Sequence, residues 1–383
     1  MTSSKHIMIV AGETSGDMHA AHLVHAIKTL DPTITFSGLG GPQMQKTGVE
    51  IYKDLTQIAV VGFFEVLKHF GEFKKSFELI LEKVREQKPA AVILVDYPGF
   101  NLRLAKELKK LNTTVIYYIS PQVWAWKENR VHHIKKYIDK MLVLFEFEKN
   151  FYARFGMDVT FVGHPLIDAV KIKTSREDFL RSQGLDTNKK TIGLLPGSRV
   201  KEIEKHLPVM IEAAKILIQD FPDLQFIVVK APNIPKSTFD SLSTFNFKLS
   251  TQPYDAINAC DACLVSSGTA TLEVALLEKP MVVIYKTSFL TWALAKCLVK
   301  IPNIGLVNVV AGKRIVPECV QFEATGQNIA SELKNILSNP QKLQNIKTDL
   351  KSIKASLGSS GASHRAAQEI LKTLFKSSQE DTK

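Results

Sequence analysis

No run of about 18 or more apolar residues occurs, so the sequence offers no ordinary membrane-spanning helix. The nearest stretch, 288–311, is broken by Lys296, Lys300, Pro302 and Asn303. No Gly-x-Gly-x-x-Gly follows a strand pattern, which disfavours a dinucleotide pocket and, with it, an oxidoreductase. No Asp-x-Asp is present. Cysteine is scarce: Cys260, Cys263, Cys297 and Cys319. Cys260-x-x-Cys263 resembles half of a zinc or redox site, but no second such pair exists and the other two cysteines lack ligand spacing. Packing within a strand is the reading for that pair. Positive charge is scattered, without a block of about five or six, which speaks against a nucleic-acid-binding tail. The opening MTSSKHIMIVAGE runs into a strand pattern without signal-peptide architecture, so a reducing, cytoplasmic compartment is expected. No internal repeat is visible.

The 383 residues suit two domains of about 150–200 each, and the 45% apolar content allows a substantial core. The formal net charge of +11 favours anionic partners, such as an acidic membrane face or phosphorylated substrates, or serves as solubilising surface charge. Short runs rich in Val and Ile (HIMIVAGE, ITFSGLGG, AAVILVDYPGF, TTVIYYIS, KMLVLFEFE, VTFVGHPL) alternate with amphipathic segments such as 18–30 and 102–111. Without polar alternation, such runs read as strands buried on both faces of a parallel sheet. The β-α-β order implies an α/β domain with helices on both faces.

Polar residues 173–190 interrupt the pattern, which restarts with TIGLLPGSR, LQFIVVKAP, ACLVSSG and PMVVIYK. The expected organisation is an N-terminal domain over 1–170, a second over 171–355, and a C-terminal helix and tail over 356–383. The final helix is expected over about 362–375, with Ser363 as its N-cap. Two doubly wound domains leave a central cleft, and ligands of such sheets bind beyond the carboxyl ends of strands.

The strand ends carry the chemistry. After the first strand, Glu13, Ser15, Asp17 and His19 follow Gly12 within a few residues, beside amides of the next helix. The alternative is a plain turn with Asp17 as a helix cap. Asp96 ends the run 90–95 and is placed to accept a proton from a sugar hydroxyl, or to cap a helix starting near Asn101. Gly197, Ser198 and Arg199 form a turn with a nest of amides and a forked cation suited to phosphate. Ser267, Gly268 and Thr269 deliver small residues to another helix start, where diphosphate would sit. Glu273, one turn in, is positioned to accept from two ribose hydroxyls, or is only a favourable first-turn acid. His22 and His25 share a helical face with His19 but read as surface or packing residues rather than metal ligands.

Residues 58–70, IAVVGFFEVLKHF, form an apolar stripe that includes Val60, Val61, Phe63, Phe64 and Leu67, flanked by Lys68, Lys74, Lys75 and Lys83. Docking on an anionic bilayer and burial in the core are both open. The two tryptophans of SPQVWAWK, Trp124 and Trp126, are open between sugar platform, lipid contact and packing.

Taken in order, AGETSGDMHA, GGPQM, VGFFEVL, Asp96-x-Pro-x-Phe-Asn, SPQVWAWK, VGHPL, LLPGSR and SSGTATLE resemble the lipid A disaccharide synthase family over roughly residues 6–325. The resemblance implies the glycosyltransferase-B arrangement: α/β, with two Rossmann-like doubly wound domains facing a central cleft. It implies transfer of 2,3-diacylglucosamine from its UDP derivative to 2,3-diacylglucosamine 1-phosphate, giving a β-1,6 link and UDP. It further implies a peripheral protein on the cytoplasmic face of the inner membrane of Gram-negative bacteria. By similarity, Arg199 and Glu273 fall on the UDP side and Asp96 on the acceptor side. Asn308 matches a family segment that often has proline before the asparagine, where this chain has Val307. An α-linked donor and a β product require one inverting displacement. Asp96 is the candidate base, with Glu13, Asp17 and His19 as rivals. The scheme calls for no metal, no cofactor and no nucleic acid, and is compatible with a homo-oligomer. A soluble UDP-sugar epimerase, a peptidoglycan-type glucosaminyltransferase and a non-catalytic membrane adaptor are the competing readings.

Overall fold

The computed structural model describes residues 5–56, 70–232, 234–242, 245–289, 292–293 and 301–375. The stripe residues Val60, Val61, Phe63, Phe64 and Leu67, and Cys297, lie outside the described residues. The chain divides into two units, Met1–Pro165 with Gly358–Lys383, and Leu166–Leu357.

The first unit runs β1 (His6–Ala11), α1 (Thr14–Leu30), β2 (Thr35–Gly40), α2 (Pro42–Lys46), β3 (Glu50–Asp54), α3 (Phe70–Gln87), β4 (Ala91–Val95), α4 (Pro98–Lys110), β5 (Val115–Tyr118), α5 (Arg130–Tyr137), β6 (Lys140–Val143), α6 (Glu146–Ala153) and β7 (Thr160–Phe161). The second runs α7 (Leu166–Ala169), α8 (Arg176–Ser182), β8 (Thr191–Leu195), α9 (Val200–Asp220), β9 (Gln225–Val229), β10 (Lys248–Ser250), α10 (Pro253–Ala259), β11 (Ala262–Ser266), α11 (Ala270–Leu276), β12 (Met281–Tyr285), α12 (Leu306–Ala311), β13 (Glu318–Val320), α13 (Gly326–Ser338) and α14 (Pro340–Ser356). The last helix, α15 (Ala362–Phe375), returns to the first unit.

Both sheets are parallel throughout. Their strand orders are β3-β2-β1-β4-β5-β6-β7 and β10-β9-β8-β11-β12-β13. The central strands β4, β8 and β11 are buried at every residue, as their unbroken apolar runs dictate. In each sheet the chain first steps outward in one direction, then restarts beside its first strand and steps the other way. The reversals fall between β1 and β4, paired Ala11 to Val95, and between β8 and β11, paired Leu195 to Val265. These are the switch points where ligands of doubly wound sheets bind.

α15 lays Ala362, Ala366, Ala367 and Ile370 against α1, whose own buried face is largely alanine, leucine and valine. Lys140 pairs with Glu369 at 3.0 Å, and Arg365 Nε donates to the Val162 carbonyl at 2.8 Å. Ser363 does not cap this helix. Ala362 is already helical and the Arg365 amide donates to the Gly361 carbonyl at 3.0 Å, so Ser363 sits in the first turn.

Asn308, which the family resemblance carries over as an acceptor or cleft residue alongside Ser15, spends its side chain on structure instead. It is fully buried, and its Nδ2 donates to the Val316 carbonyl (2.9 Å) and Glu318 Oε1 (2.7 Å). Its Oδ1 accepts from the amides of Ile315 (2.9 Å) and Val316 (3.1 Å). Two donors and two acceptors exhaust an amide side chain, so nothing remains for a ligand. Asn308→Ala leaves two buried amides and the Glu318 carboxylate short of a partner. The expected loss is about 3 kcal/mol, since each unsatisfied buried group costs about 1–3 kcal/mol. Urea unfolding would show it as a lower midpoint at unchanged slope. A loss under about 0.5 kcal/mol would mean the bracket does not hold the segment.

Candidate active site

In the second unit, the loops after β8, β9 and β11 and the start of α10 enclose a pocket of about 460 Å³. Gly197, Ser198, Arg199, Ser267, Gly268, Thr269 and Glu273 all line it. Gly197 has φ +135° and Gly268 has φ +147°, values that favour glycine. A Cβ at Gly197 would also meet the Glu202 side chain at 2.7 Å. The amides of Gly268 and Thr269 make no hydrogen bond among the described residues, as an anion-binding turn requires. Ser267 is held in place by its own hydroxyl, which donates to the Ile304 carbonyl at 2.9 Å.

Two pocket residues, Glu202 and Tyr254, and a buried histidine outside the lining were not read from the sequence. Glu202 accepts from the Ser198 amide and from Arg199 Nη1, both at 3.0 Å, and so occupies the groups assigned to phosphate. Tyr254 lines the pocket opposite the loops. Burial and then the Glu273 carboxylate push its hydroxyl up to about 12. Buried His206 ties the ends of β8 and β12 together. Its Nδ1 donates to the Pro196 carbonyl at 2.9 Å, and its Nε2 accepts from the Lys286 amide at 3.0 Å, which fixes one neutral tautomer. Burial lowers its pKa, in keeping with that form. Glu273 is half-buried and its carboxylate makes no hydrogen bond among the described residues; burial raises its pKa.

The Cys260–Cys263 pair lies buried against Gly193, where a Cβ would meet both sulfurs at 3.0 Å. Cys260 Sγ donates to the Ala256 carbonyl at 3.1 Å. Among the described residues no group of three or more His, Cys, Asp or Glu is placed to hold a metal.

In the first unit, Asp96 and Tyr97 follow β4 with φ of 46° and 50°. Two successive non-glycine residues in the left-handed region cost about 1–3 kcal/mol each and must be held. Asn101 Nδ2 (2.8 Å) and the Tyr117 hydroxyl (2.5 Å) both donate to the Asp96 carbonyl and do so. The helix cap here is Tyr97, with Pro98 at the first helical position, so Asp96 is not its N-cap. The Tyr97 ring lies over Gly12, where any Cβ would come within 2.1 Å of it. Burial, then the nearby charge of Glu13, push the Asp96 carboxyl up to about 6, against a hydrogen bond from the Tyr97 amide.

The rivals for the base fare differently. Asp17 is buried and accepts from the amides of Gly41 (2.9 Å), Gln43 (2.9 Å) and Met44 (3.1 Å), so it caps α2 rather than its own turn. That contact explains the GGPQM segment, because a Cβ at Gly41 would lie 2.8 Å from Asp17 Oδ2. His19 is half-buried, and its Nδ1 has no hydrogen-bond partner among the described residues. Burial and His22 lower its pKa to about 4. His164, of the VGHPL segment, is lowered to about 3 by burial and by His19. Glu13 and Ser15 are exposed at the start of α1.

Two parallel, doubly wound α/β sheets with a nucleotide-sized pocket beyond the strand ends define the glycosyltransferase-B class of fold. Solved structures with this fold include the glycotransferase of kitacinnamycin (TM-score 0.66, 14% identity, 96% of this chain and 98% of that one). Another is the UDP-GlcNAc 2-epimerase from Neisseria meningitidis bound to UDP-GlcNAc (TM-score 0.60, 15% identity, 97% and 100%). The particular family follows from sequence. The lipid-A-disaccharide synthetase family model matches residues 7–372, and the chain belongs to that family. It is 43% identical over 383 residues to the lipid-A-disaccharide synthase of Geobacter sulfurreducens, covering 98% of each chain. It is 43% identical over 367 residues to lipid-A-disaccharide synthase 1 of Legionella pneumophila strain Lens, covering 94% of this chain and 96% of that one.

A base must be ionised to accept a proton, so with Asp96 in that role kcat/KM for an acceptor sugar is expected to fall as pH drops through about 6, to which burial and Glu13 push its carboxyl up. Glu13→Gln removes a negative neighbour that raises the Asp96 pKa, and should move this inflection to lower pH. An inflection that stays put in Glu13→Gln, or survives in Asp96→Asn, would remove Asp96 from the role.

Proposed function

We propose that this protein is an inverting glycosyltransferase. It condenses UDP-2,3-diacylglucosamine with 2,3-diacylglucosamine 1-phosphate, giving the β-1,6-linked lipid A disaccharide 1-phosphate and UDP. The observation that carries this reading is the convergence of Gly197, Ser198, Arg199, Ser267, Gly268, Thr269 and Glu273 on one pocket, in a chain of this family.

In this reading the diphosphate of the donor displaces Glu202. The Arg199–Glu202 pair is exposed, with the Arg199 side chain at 76%, and contributes no more than about 1 kcal/mol. A charge-assisted bond to phosphate contributes about 1.5–3 kcal/mol, and the amides of Gly268 and Thr269 add to it, so the exchange favours the ligand. The desolvated Glu273 carboxylate accepts from the ribose hydroxyls. Asp96 takes the proton of the acceptor 6-hydroxyl as its oxygen attacks the anomeric carbon and the bond to UDP breaks. Asp96 suits this task better than its rivals because a base works best with a pKa near the operating pH. His19 is too weak a base, and Asp17 is committed to backbone amides. Arg199 and the loop amides stabilise the charge on the departing diphosphate.

The enzyme works at the cytoplasmic face of the inner membrane, to which the +11 net charge draws it. No described helix is long and apolar enough to cross a membrane.

The purified protein, given both acylated sugars in detergent with EDTA, should yield disaccharide 1-phosphate and equimolar UDP by mass spectrometry. UDP without disaccharide would sink the acceptor assignment. Epimerised donor alone would point to the other chemistry this fold hosts. Arg199→Ala should weaken UDP binding in calorimetry by about 1.5–3 kcal/mol, roughly ten- to a hundred-fold. Unchanged affinity would take the diphosphate away from this loop.

A further inference from the structure

The two tryptophans of the SPQVWAWK segment have different surroundings. Trp124 is half-buried, and its ring meets Phe147 edge-on at 5.3 Å. It borders the buried Glu148, whose carboxylate accepts from the Phe145 amide at 3.1 Å. Trp126 is 37% exposed. Lys127 Nζ lies 4.5 Å from its ring centroid and the Arg130 guanidinium 5.2 Å. Neither cation makes a salt bridge or hydrogen bond to another described residue, although the chain carries 38 carboxylate side chains.

Arg130 is half-buried and Lys127 exposed, and both lie over one ring with no carboxylate among the described residues to pair them. An anion there would find a forked donor, a point charge and an aromatic face together. The charge of Arg130 also reaches Tyr117, the residue whose hydroxyl donates to the Asp96 carbonyl at 2.5 Å. Arg130 is thus near Tyr117, whose hydroxyl bonds the strand end that carries Asp96. The segment between is fixed by strain at both ends. Ile119 has φ +69° and Lys127 has φ +57°, and a β-branched residue in this region is a true outlier. Such strain persists only where the surroundings hold it.

We propose that Trp126, Lys127 and Arg130 form the subsite for the phosphomonoester of the acceptor. The Trp126 face covers the sugar ring or its anomeric edge, Arg130 bonds the phosphate with its forked donors, and Lys127 adds a point charge. This assignment rests on the acceptor proposed above and adds the residues that select its 1-phosphate. The same chemistry would also hold the phosphate of an anionic bilayer lipid. An acceptor subsite is favoured because the cations share an aromatic platform suited to a sugar, and because Arg130 acts on Tyr117, which bonds the Asp96 carbonyl.

The test separates these sources and separates this inference from the reaction itself. Binding is read with a soluble probe, glucosamine 1-phosphate, through quenching of tryptophan emission, with glucosamine as control. The phosphorylated sugar should quench and glucosamine should not. Trp126→Phe should abolish the signal, and Arg130→Gln should weaken binding by about ten-fold or more, the loss of one charge-assisted bond. In the transfer assay, Arg130→Gln should raise the acceptor KM about as much and leave the donor KM unchanged. Its penalty should vanish with 2,3-diacylglucosamine lacking the phosphate. Equal penalties on both acceptors, or quenching that ignores Arg130, would overturn the assignment. Loss of binding to vesicles containing phosphatidylglycerol, with acceptor discrimination intact, would reassign the cations to the membrane. Phosphate-dependent quenching in a protein that makes no disaccharide would leave the subsite standing and sink the proposed reaction.

Discussion

Strand-order reversal governs both halves of this molecule. A parallel sheet brings every strand end to one edge, and each connection then leaves toward one face or the other. Where the order reverses, the two neighbouring loops leave to opposite faces and a gap opens between them. Pairing of Ala11 with Val95 and of Leu195 with Val265 sets the two ends level at each reversal. At one gap the Tyr97 ring fills the space over Gly12 and Asp96 stands beside it. At the other, residues 197–199 face residues 267–269 across a pocket. Burying these sheets on both faces is what the unbroken apolar runs achieve, so the core chemistry and the placement of the sites have one cause.

The same geometry serves opposite electrostatic ends. In the second unit, glycines at positive φ shape loops that leave the Gly268 and Thr269 amides unbonded among the described residues and hold Arg199 against Glu202, which suits the exchange for a diphosphate proposed there. In the first, Glu13 beside Asp96 raises the proton affinity of a buried carboxylate. The backbone strain also differs. Glycine relieves it in the second unit, whereas Asp96, Tyr97 and Ile119 bear it as ordinary residues and need donors such as Asn101 and Tyr117 to hold them.

Much of this was legible in the sequence because the signals were local. The two α/β patterns, the central strands and every residue assigned to the nucleotide pocket lie within a few positions of an apolar run. What escaped was set by distant partners or by exposure. The edge strands β3, β10 and β13 have polar residues among few apolar ones, with none of β3 and only part of β10 and β13 buried, and that composition hides them. Asp17 looked like a cap for its own turn, but it serves α2, 24 to 27 residues on. Asn308 carried family resemblance, yet its bonds all lead to 315–318. His206 and Tyr254 have no motif around them, and only the fold brings them to strand ends.

Spacing alone could not assign Trp124 and Trp126, which are two residues apart and chemically the same. Each was open to sugar stacking, lipid contact or packing. The difference lies in what the fold supplies to each ring. One packs edge-on against Phe147 beside a buried acid, with its Nε1 left without a hydrogen-bond partner among the described residues. The other receives only Lys127 and Arg130, cations without a counter-charge among the described residues. Burial and ring packing make the first tryptophan part of the core's edge, while the second stays open, and the proposed subsite would give its two cations an anion to share.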